Sequence, residues 1–195
     1  MNDGGLLANR QKEYDKGAKG WLLFVENGTL KFRYSPSNQF NKPTYEPASD
    51  EQKTIEGGKL NMGEWAHVAI TEKRDGSIRL YVNGMLTGEG ERYRREHTLN
   101  NSTYLSLFAD AFEYAPIEAA VDELKIWNYE LNEEEIRREM YSVNVDNRNG
   151  LVAYYAFNGD NLSGDLETFV GYQPRVMTRA EVTHEKMSLP ISCLL

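Results

Sequence analysis

Four side chains have the chemical types of a sugar-binding site: Arg33, His67, Arg79 and Tyr81. A sugar site needs an aromatic plane for the apolar face of the ring and a few donors and acceptors for the hydroxyl groups. The tyrosine offers the plane, and the arginines and the histidine offer hydrogen bonds. The alternative for the histidine is that it is a hydrogen-bonded residue of the sheet scaffold with no ligand.

A predicted β-hairpin places three of these four residues. Apolar and polar residues alternate over residues 65–71 and again over 77–83, which is the period of half-buried strands. The intervening Asp75–Gly76 has the turn chemistry that joins such strands. By parity the histidine shares a face with the arginine and the tyrosine of the partner strand. Arg33 shares that face only if its own strand belongs to the same sheet.

A candidate metal site centres on Asp122. This residue has the parity of Leu124 and Ile126, so its carboxylate is predicted to point toward the buried side of a strand. A buried charge without a partner is costly. The partner is a backbone N–H group, a lysine or arginine, or a calcium ion, which would take further oxygen ligands such as Asp110 and Glu113.

Nucleophilic catalysis has few candidate residues. The histidines are His67, His97 and His184, and the one cysteine is Cys193. No Gly-x-Ser-x-Gly elbow and no phosphate-binding glycine loop occurs. A single cysteine also excludes an internal disulfide.

Charge and length limit the possible partners. With 30 acidic and 22 basic side chains in 195 residues, the net charge is −8, which disfavours nucleic acid and anionic membranes as partners. No apolar run approaches the roughly 18 residues of a membrane-spanning helix. The sequence therefore predicts a soluble chain without membrane insertion, and it starts without the features of a signal peptide.

The remaining patterns predict mostly strands. Asn27–Gly28 and Asn83–Gly84 indicate further tight turns, and residues 103–109, 119–129 and 150–160 indicate further strands. The segment 35–58 is predicted to be a long loop, and residues 173–195 an edge or tail. One short helix is predicted after the capping residue Asn132, with Glu135 as its partner in a capping box. Trp21, Trp65 and Trp127 are interpreted as packing residues. The fold class is therefore all-β, a jelly-roll sandwich of two antiparallel sheets with one short peripheral helix.

Three ordered motifs resemble a known family. "GEWAHVAIT" with "DGSIRLYVNG", then "AAVDELKIWNYELNEEEI", then "GLVAYYAFNGD" are similar to the laminin-G-like and pentraxin-like branch of the concanavalin A-like lectin/glucanase superfamily. The resemblance spans residues 17 to 160. It predicts a laminin-G-like domain over 1–160 and a C-terminal extension over 161–195. The family's usual first strands have no match in residues 1–16, so either the chain begins partway into the natural domain or the extension completes the missing sheet edge.

The resemblance implies a binding domain, often for glycans or proteins and sometimes with calcium. Hydrolases of the superfamily carry a Glu-x-Asp-x-x-Glu pattern, but the positions around Asp122 hold Ala120 and Lys125. Both glutamates are absent, so the two carboxylates that glycosidic cleavage requires are not assigned and no enzyme activity is expected. A glycoside hydrolase is therefore only the third alternative.

Two functions from different classes follow from the resemblance. The first is a carbohydrate-binding module of a larger extracellular, cell-surface or periplasmic protein. The second is a structural or protein-interaction domain without a sugar site. Aromatic residues exposed in the predicted loops would favour the first, namely Phe40, Tyr45, Phe112 and Tyr114.

Overall fold

The computed structural model describes residues 3–13, 17–35, 53–73, 76–91, 104–108, 117, 119–142, 149–155, 181–183 and 190–194. These residues form strands and one short helix. The strands are β1 (Gly4–Glu13), β2 (Gly17–Glu26), β3 (Thr29–Ser35), β4 (Lys53–Lys59), β5 (His67–Glu72), β6 (Ser77–Val82), β7 (Met85–Glu91), β8 (Tyr104–Leu107), β9 (Asp122–Trp127), β10 (Leu151–Tyr155), β11 (Glu181–Thr183) and β12 (Pro190–Leu194), and the helix is α1 (Glu133–Glu139).

The strands form two antiparallel sheets. Sheet I has the order β11-β8-β1-β2-β3-β4, and sheet II has the order β10-β9-β12-β5-β6-β7. One apolar core joins the two sheets, because residues of sheet I such as Leu23 and Phe32 cluster with Val68, Leu80 and Leu124 of sheet II. The predicted all-β sandwich with one short helix is therefore confirmed.

Two Asn-Gly turns set the register of the hairpins. Asn27–Gly28 joins β2 to β3 and Asn83–Gly84 joins β6 to β7. All four residues have positive φ, from 50° to 72°. Two consecutive positive φ values suit the right-handed twist of the flanking strands, and asparagine followed by glycine tolerates them best. The predicted turns are confirmed.

Edge strands of the two sheets meet along a glycine-lined seam. A Cβ atom on Gly88 of β7 would clash with the carbonyl oxygen of Glu56 in β4. Only glycine therefore allows the two backbones to approach this closely. The seam closes one side of the sandwich.

Helix α1 lies on the outer face of sheet II. Asn132 accepts a hydrogen bond from the backbone N–H of Glu135, and the Glu135 carboxylate accepts one from the backbone N–H of Asn132. This is the predicted capping box. Leu131 and Ile136 are buried in an apolar cluster with Tyr81 and Trp127 of the sheet. The helix is held by this burial, since seven residues are too few to be stable alone.

The N-terminal half contains two strands that the sequence patterns did not indicate. β1 lies between β2 and β8 in sheet I. Its pairing with β2 is irregular between Gly5 and Leu7, so the neighbouring Leu6 and Leu7 are both buried and the alternation is lost. β4 occupies part of the predicted loop 35–58, so that prediction was wrong for residues 53–58. Residues 36–52 lie outside the described part of the chain.

The C-terminal segment contributes to both sheets. β11 pairs with β8 at an edge of sheet I, whereas β12 lies inside sheet II between β5 and β9. The sequence predicted an edge or tail, and β12 differs because it has a partner on each side. The division of the chain at residue 160 remains a prediction.

Within the described ranges, no helix has the length and apolar character needed to cross a membrane.

Candidate functional site

The four predicted sugar-binding residues lie on two different sheets. Register places Thr71 opposite Arg79 and Ala69 opposite Tyr81, so His67, Arg79 and Tyr81 share the outer face of sheet II as parity predicts. Arg33 lies on β3, which belongs to sheet I. Side-chain parity reveals which face of its own strand a residue occupies, but not which sheet contains that strand.

Two of the four residues are buried. His67 and Tyr81 are each 3% exposed. Tyr81 packs in the apolar cluster that contains Leu131 and Ile136, because α1 covers this part of sheet II. Burial also raises the pKa of the Tyr81 hydroxyl. A glycan cannot stack on this ring unless the helix moves, and binding at these positions remains an untested prediction.

The two arginines already have protein partners. Arg79 forms ion pairs with Glu89, at 2.9 Å, and Glu130, at 3.3 Å. Arg33 donates from Nε to the Thr54 hydroxyl at 3.1 Å, and its guanidinium lies 5.0 Å from the centre of the Phe24 ring.

A buried polar cluster lies between sheet II and the end of α1. The Lys125 ammonium group is buried and donates to the carbonyl oxygens of Glu139 and Ser142 and to the Glu139 carboxylate, 3.4 Å away. Burial lowers the pKa of Lys125, and the negative charge of Glu139 opposes that effect. Lysine at the C-terminal end of a helix satisfies carbonyl groups that have no partner within the helix. Lys125 therefore fastens α1 to the sheet.

His67 is neutral in this environment. Burial lowers the pKa of His67 to about 4, and the positive charge of Lys125 adds to the effect. Neither ring nitrogen has a hydrogen-bond partner among the residues that the structure describes. His67 is thus buried, as expected of a scaffold residue. Its ring nitrogens, however, do not make the hydrogen bonds that this alternative predicted with any of the described residues.

The candidate metal residue Asp122 has a backbone partner. Its Oδ1 atom accepts a hydrogen bond from the N–H of Glu123 at 3.0 Å, which is one of the alternatives anticipated from the sequence. Asp110 and Glu113 lie outside the described residues. Across the described ranges, no group of three or more histidine, cysteine, aspartate or glutamate side chains could hold a metal ion. Calcium binding remains a prediction.

An exposed tryptophan stands out on the loop between β4 and β5, residues 60–66, called the rim loop below. Trp65 is 58% exposed. Its interpretation as a packing residue is wrong, whereas the same interpretation is right for Trp21 and Trp127, which are buried. The reason is that β5 begins at His67, so Trp65 lies beyond the end of the sheet.

Both ends of the rim loop are fixed to the sandwich. Leu60 and Ala66 are buried in the main core, and the N–H of Leu60 donates to the carbonyl oxygen of Gly28 at 2.9 Å. At the other end, the N–H of His67 donates to Oδ1 of Asn83 at 2.9 Å, and the N–H of Asn83 donates to the carbonyl oxygen of His67 at 2.8 Å. The five residues between these anchors, 61–65, are exposed.

The rim loop combines an aromatic ring with polar groups. The Asn61 amide donates to the Glu64 carboxylate at 2.8 Å. Each of these side chains has further hydrogen-bonding capacity, because an amide has a second N–H and an oxygen and a carboxylate has a second oxygen. No side-chain alternation could have identified this site. The sequence signal was only a tryptophan beside Asn, Gly and Glu just before a strand.

Comparison with solved structures finds partial similarity. A structure of residues 221–444 of an S-layer domain-containing protein from Clostridium thermocellum ATCC 27405 is similar, with 20% sequence identity and a TM-score of 0.30. The match covers 71% of this chain and 63% of that one, less than two thirds of its length. No curated protein sequence matches the chain.

The sequence model of the family Laminin_G_3, described as the concanavalin A-like lectin/glucanases superfamily, matches residues 13–137. This range spans both hairpins with Asn-Gly turns, the rim loop and most of α1, and it exceeds half of the chain. The resemblance noted from the motifs is thereby confirmed. The chain belongs to the Laminin_G_3 family of the concanavalin A-like lectin/glucanases superfamily.

Proposed function

We propose that this protein is a non-catalytic carbohydrate-binding module of a larger exported or cell-surface protein, and that it holds its glycan at the rim loop. The observation that carries the proposal is the exposure of Trp65, 58% of its surface, on a loop fixed at both ends. Tryptophan is enriched at contact surfaces, because its indole combines a large apolar area with one polar N–H group. Membership of a lectin-containing superfamily supports a glycan as the ligand.

The rim loop has the chemistry that a sugar requires. The indole face of Trp65 supplies a flat apolar surface of the size of a pyranose ring, and Asn61 and Glu64 supply hydrogen bonds to hydroxyl groups. Among the described aromatic residues, Tyr129 and Tyr141 are also exposed. Trp65 differs from them because its own loop contains a hydrogen-bonded amide and carboxylate.

The charge of the site and of the chain favours neutral glycans. The net charge is −8, and Glu64 adds a carboxylate inside the rim loop. A sulfated or uronic acid polymer would be repelled at low ionic strength. Calcium, which the family sometimes uses, is an open part of the proposal and enters the test as a variable.

Protein interaction is the second candidate, and a specific observation supports it. Met62, Met85 and Leu86 are exposed as well as Trp65. Met62 lies in the rim loop, and Met85 and Leu86 follow the Asn83–Gly84 turn that pairs with the end of that loop. Exposed methionines are frequent at adaptable protein-binding surfaces. A protein ligand would use this wider apolar surface, whereas a glycan would depend mainly on the indole.

A glycan array, with and without calcium, tests the proposal. It is run with the natural protein, with Trp65→Ala, and with Tyr141→Ala as the matched control, because Tyr141 is the more exposed ring and lies after α1. We expect binding to neutral glycans that is reduced at least about tenfold by Trp65→Ala and unchanged by Tyr141→Ala. Covering a large apolar side chain is worth roughly 1.5–3 kcal/mol, which corresponds to a factor of about ten or more.

Three results would contradict the proposal. Equal glycan binding by the natural protein and Trp65→Ala would place the site elsewhere. Failure to bind any glycan in either condition would favour the protein-interaction candidate. Release of reducing ends from β-glucans during incubation would contradict the non-catalytic part of the proposal.

A further inference from the structure

A strand slot lies in the interior of sheet II, between β5 and β9, and β12 fills it. Residues Pro190–Leu194 pair with Thr71–His67 on one side and with residues of β9 on the other. Neighbouring strands are about 4.8 Å apart, so β5 and β9 are separated by about 10 Å and cannot pair with each other directly. Without an occupant, both strands would lose their backbone partners along the slot.

The slot crosses the apolar core. Val68 and Ile70 of β5 and Leu124 and Ile126 of β9 are each at most 2% exposed. Register places Ile191 between Ile70 and Ile126. An empty slot would admit water to these residues, so the folded protein needs an occupant. The fold therefore contains a site whose ligand is an extended apolar peptide strand.

The natural occupant is tied to the slot by a long connection. β10 ends at Tyr155 and β11 begins at Glu181, so residues 156–180 separate them. A stretch of that length has a maximum reach of about 80 Å, which is enough for β11 and β12 to reach a second copy. The effective concentration of a tethered strand falls as the tether lengthens. A strand from another copy competes with the tethered one when the protein concentration approaches that value.

The pairing of β12 is also imperfect. Pro190 has no N–H to donate toward Thr71, and the register with β9 shifts between Ser192 and Leu194. A five-residue strand with a missing donor and an irregularity is a weak occupant for an interior position. No charged residue occurs in the sequence of β12, so repulsion between charges does not oppose the entry of a second copy's strand.

We propose that the strand slot is an acceptor site that takes β12 from a second copy of this chain as well as from its own. Exchange of β11 and β12 between two copies preserves every pairing of these two strands. The product is a strand-exchanged dimer that carries two rim loops. The proposal is independent of what the rim loop binds.

Two full-length chains with one cysteine each provide the test. The first is the natural chain, whose single cysteine is Cys193. The second carries Val68→Cys and Cys193→Ser. Cys193 lies directly opposite Val68, and such antiparallel pairs have Cα separations of about 4.5–5.5 Å, which suits a disulfide. A disulfide between the two different chains forms only when β12 of the natural chain occupies the slot of the variant.

The matched control replaces Val82 instead, with Val82→Cys and Cys193→Ser. Val82 is a buried valine that pairs with Val68 from the other side, one strand further from Cys193. It is about 10 Å from the exchanged cysteine, too far for a disulfide. The chains are mixed in denaturant, refolded together at high concentration and oxidised, and a mass tag on one chain identifies the mixed dimer on a non-reducing gel.

We expect mixed dimers with the Val68 variant and their loss with the Val82 variant. Circular dichroism establishes that both variants fold. Equal mixed dimers with both variants would overturn the proposal, because the contact would then be nonspecific. Val68→Cys in a chain that keeps Cys193 is the third arm. Intramolecular disulfides alone, at every concentration, would mean that the slot takes only its own strand, and no disulfide at all would mean that β12 does not lie beside β5.

Discussion

Acid is expected to weaken the folded protein through His67. The unfolded chain binds a proton at this residue below about pH 6.5, whereas the folded protein does so only near pH 4, because the ring is buried beside Lys125. Protonation therefore favours the unfolded state in that interval, and the free energy of unfolding falls as the pH is lowered from about 6.5 to 4. Above pH 7 the histidine is neutral in both states and makes no pH-dependent contribution.

The magnitude follows from the two pKa values. A histidine with a pKa of about 4 when folded and 6.5 when unfolded lowers stability by about 2 kcal/mol between pH 7 and pH 5, and by about 3 kcal/mol at full protonation. Carboxylates and the other histidines also bind protons as the pH falls, but their effect on stability is common to both proteins. It therefore cancels when the natural protein is compared with His67→Leu. Leucine has a similar volume and no titrating group.

Urea unfolding at pH 7 and at pH 5 measures this difference. Stability of the natural protein relative to His67→Leu should fall by about 2 kcal/mol between the two values. At pH 7 the variant should be at least as stable as the natural protein, since the ring nitrogens have no partner among the described residues. A difference between the proteins that stays constant within about 0.5 kcal/mol would refute the reasoning, because it would show that His67 has the same pKa in both states.

Three further predictions concern the scaffold and use urea or thermal unfolding. Lys125→Met should lower the free energy of unfolding by about 3 kcal/mol, because the Glu139 carboxylate loses its buried cation and keeps only Arg138, whose Nε lies 3.6 Å away. Adding Glu139→Leu should recover part of this loss, and an additive double variant would contradict the pairing. Gly88→Ala should lower the free energy of unfolding by about 3 kcal/mol, because its Cβ atom would clash with backbone at the seam. Gly63→Ala should lower it by only about 1 kcal/mol, because Gly63 has a positive φ but open space around it. Equal losses in the two variants would contradict close backbone contact at the seam. Asn132→Ala should lower the free energy of unfolding by about 1 kcal/mol through loss of the capping box. An unchanged midpoint of urea or thermal unfolding would show that the cap is dispensable.

Local chemistry made several parts of the fold predictable from the sequence. Asn-Gly pairs favour two positive φ values, so the residue types alone were enough to place both turns. The capping box of α1 is equally local. Alternation placed Ile78 and Leu80 in the core and His67 on the face of Tyr81.

Sequence patterns failed where long-range pairing decides the outcome. β1 was not predicted because its bulge buries two successive leucines, which breaks the alternation. β4 was not predicted because its glycines indicated a loop, whereas they lie in a strand and allow close contact with β7. Whether Arg33 lies on the same face as His67 depends on which sheet contains each strand, and no local sequence pattern indicates that. Trp65 was misplaced by two residues at a strand start, and that shift separates a buried ring from an exposed one.

The β6–β7 turn is held from two directions, and this affects how the rim loop would meet a ligand. Asn83 pairs with His67 at the end of the loop, and Arg137 of α1 donates from Nε to the carbonyl oxygen of Gly84 at 3.1 Å. The loop is therefore preorganised: its ordering entropy is lost when the chain folds and not when a partner arrives. Association at Trp65 should then be fast, and the backbone of the loop should keep the same conformation in the free and the bound protein.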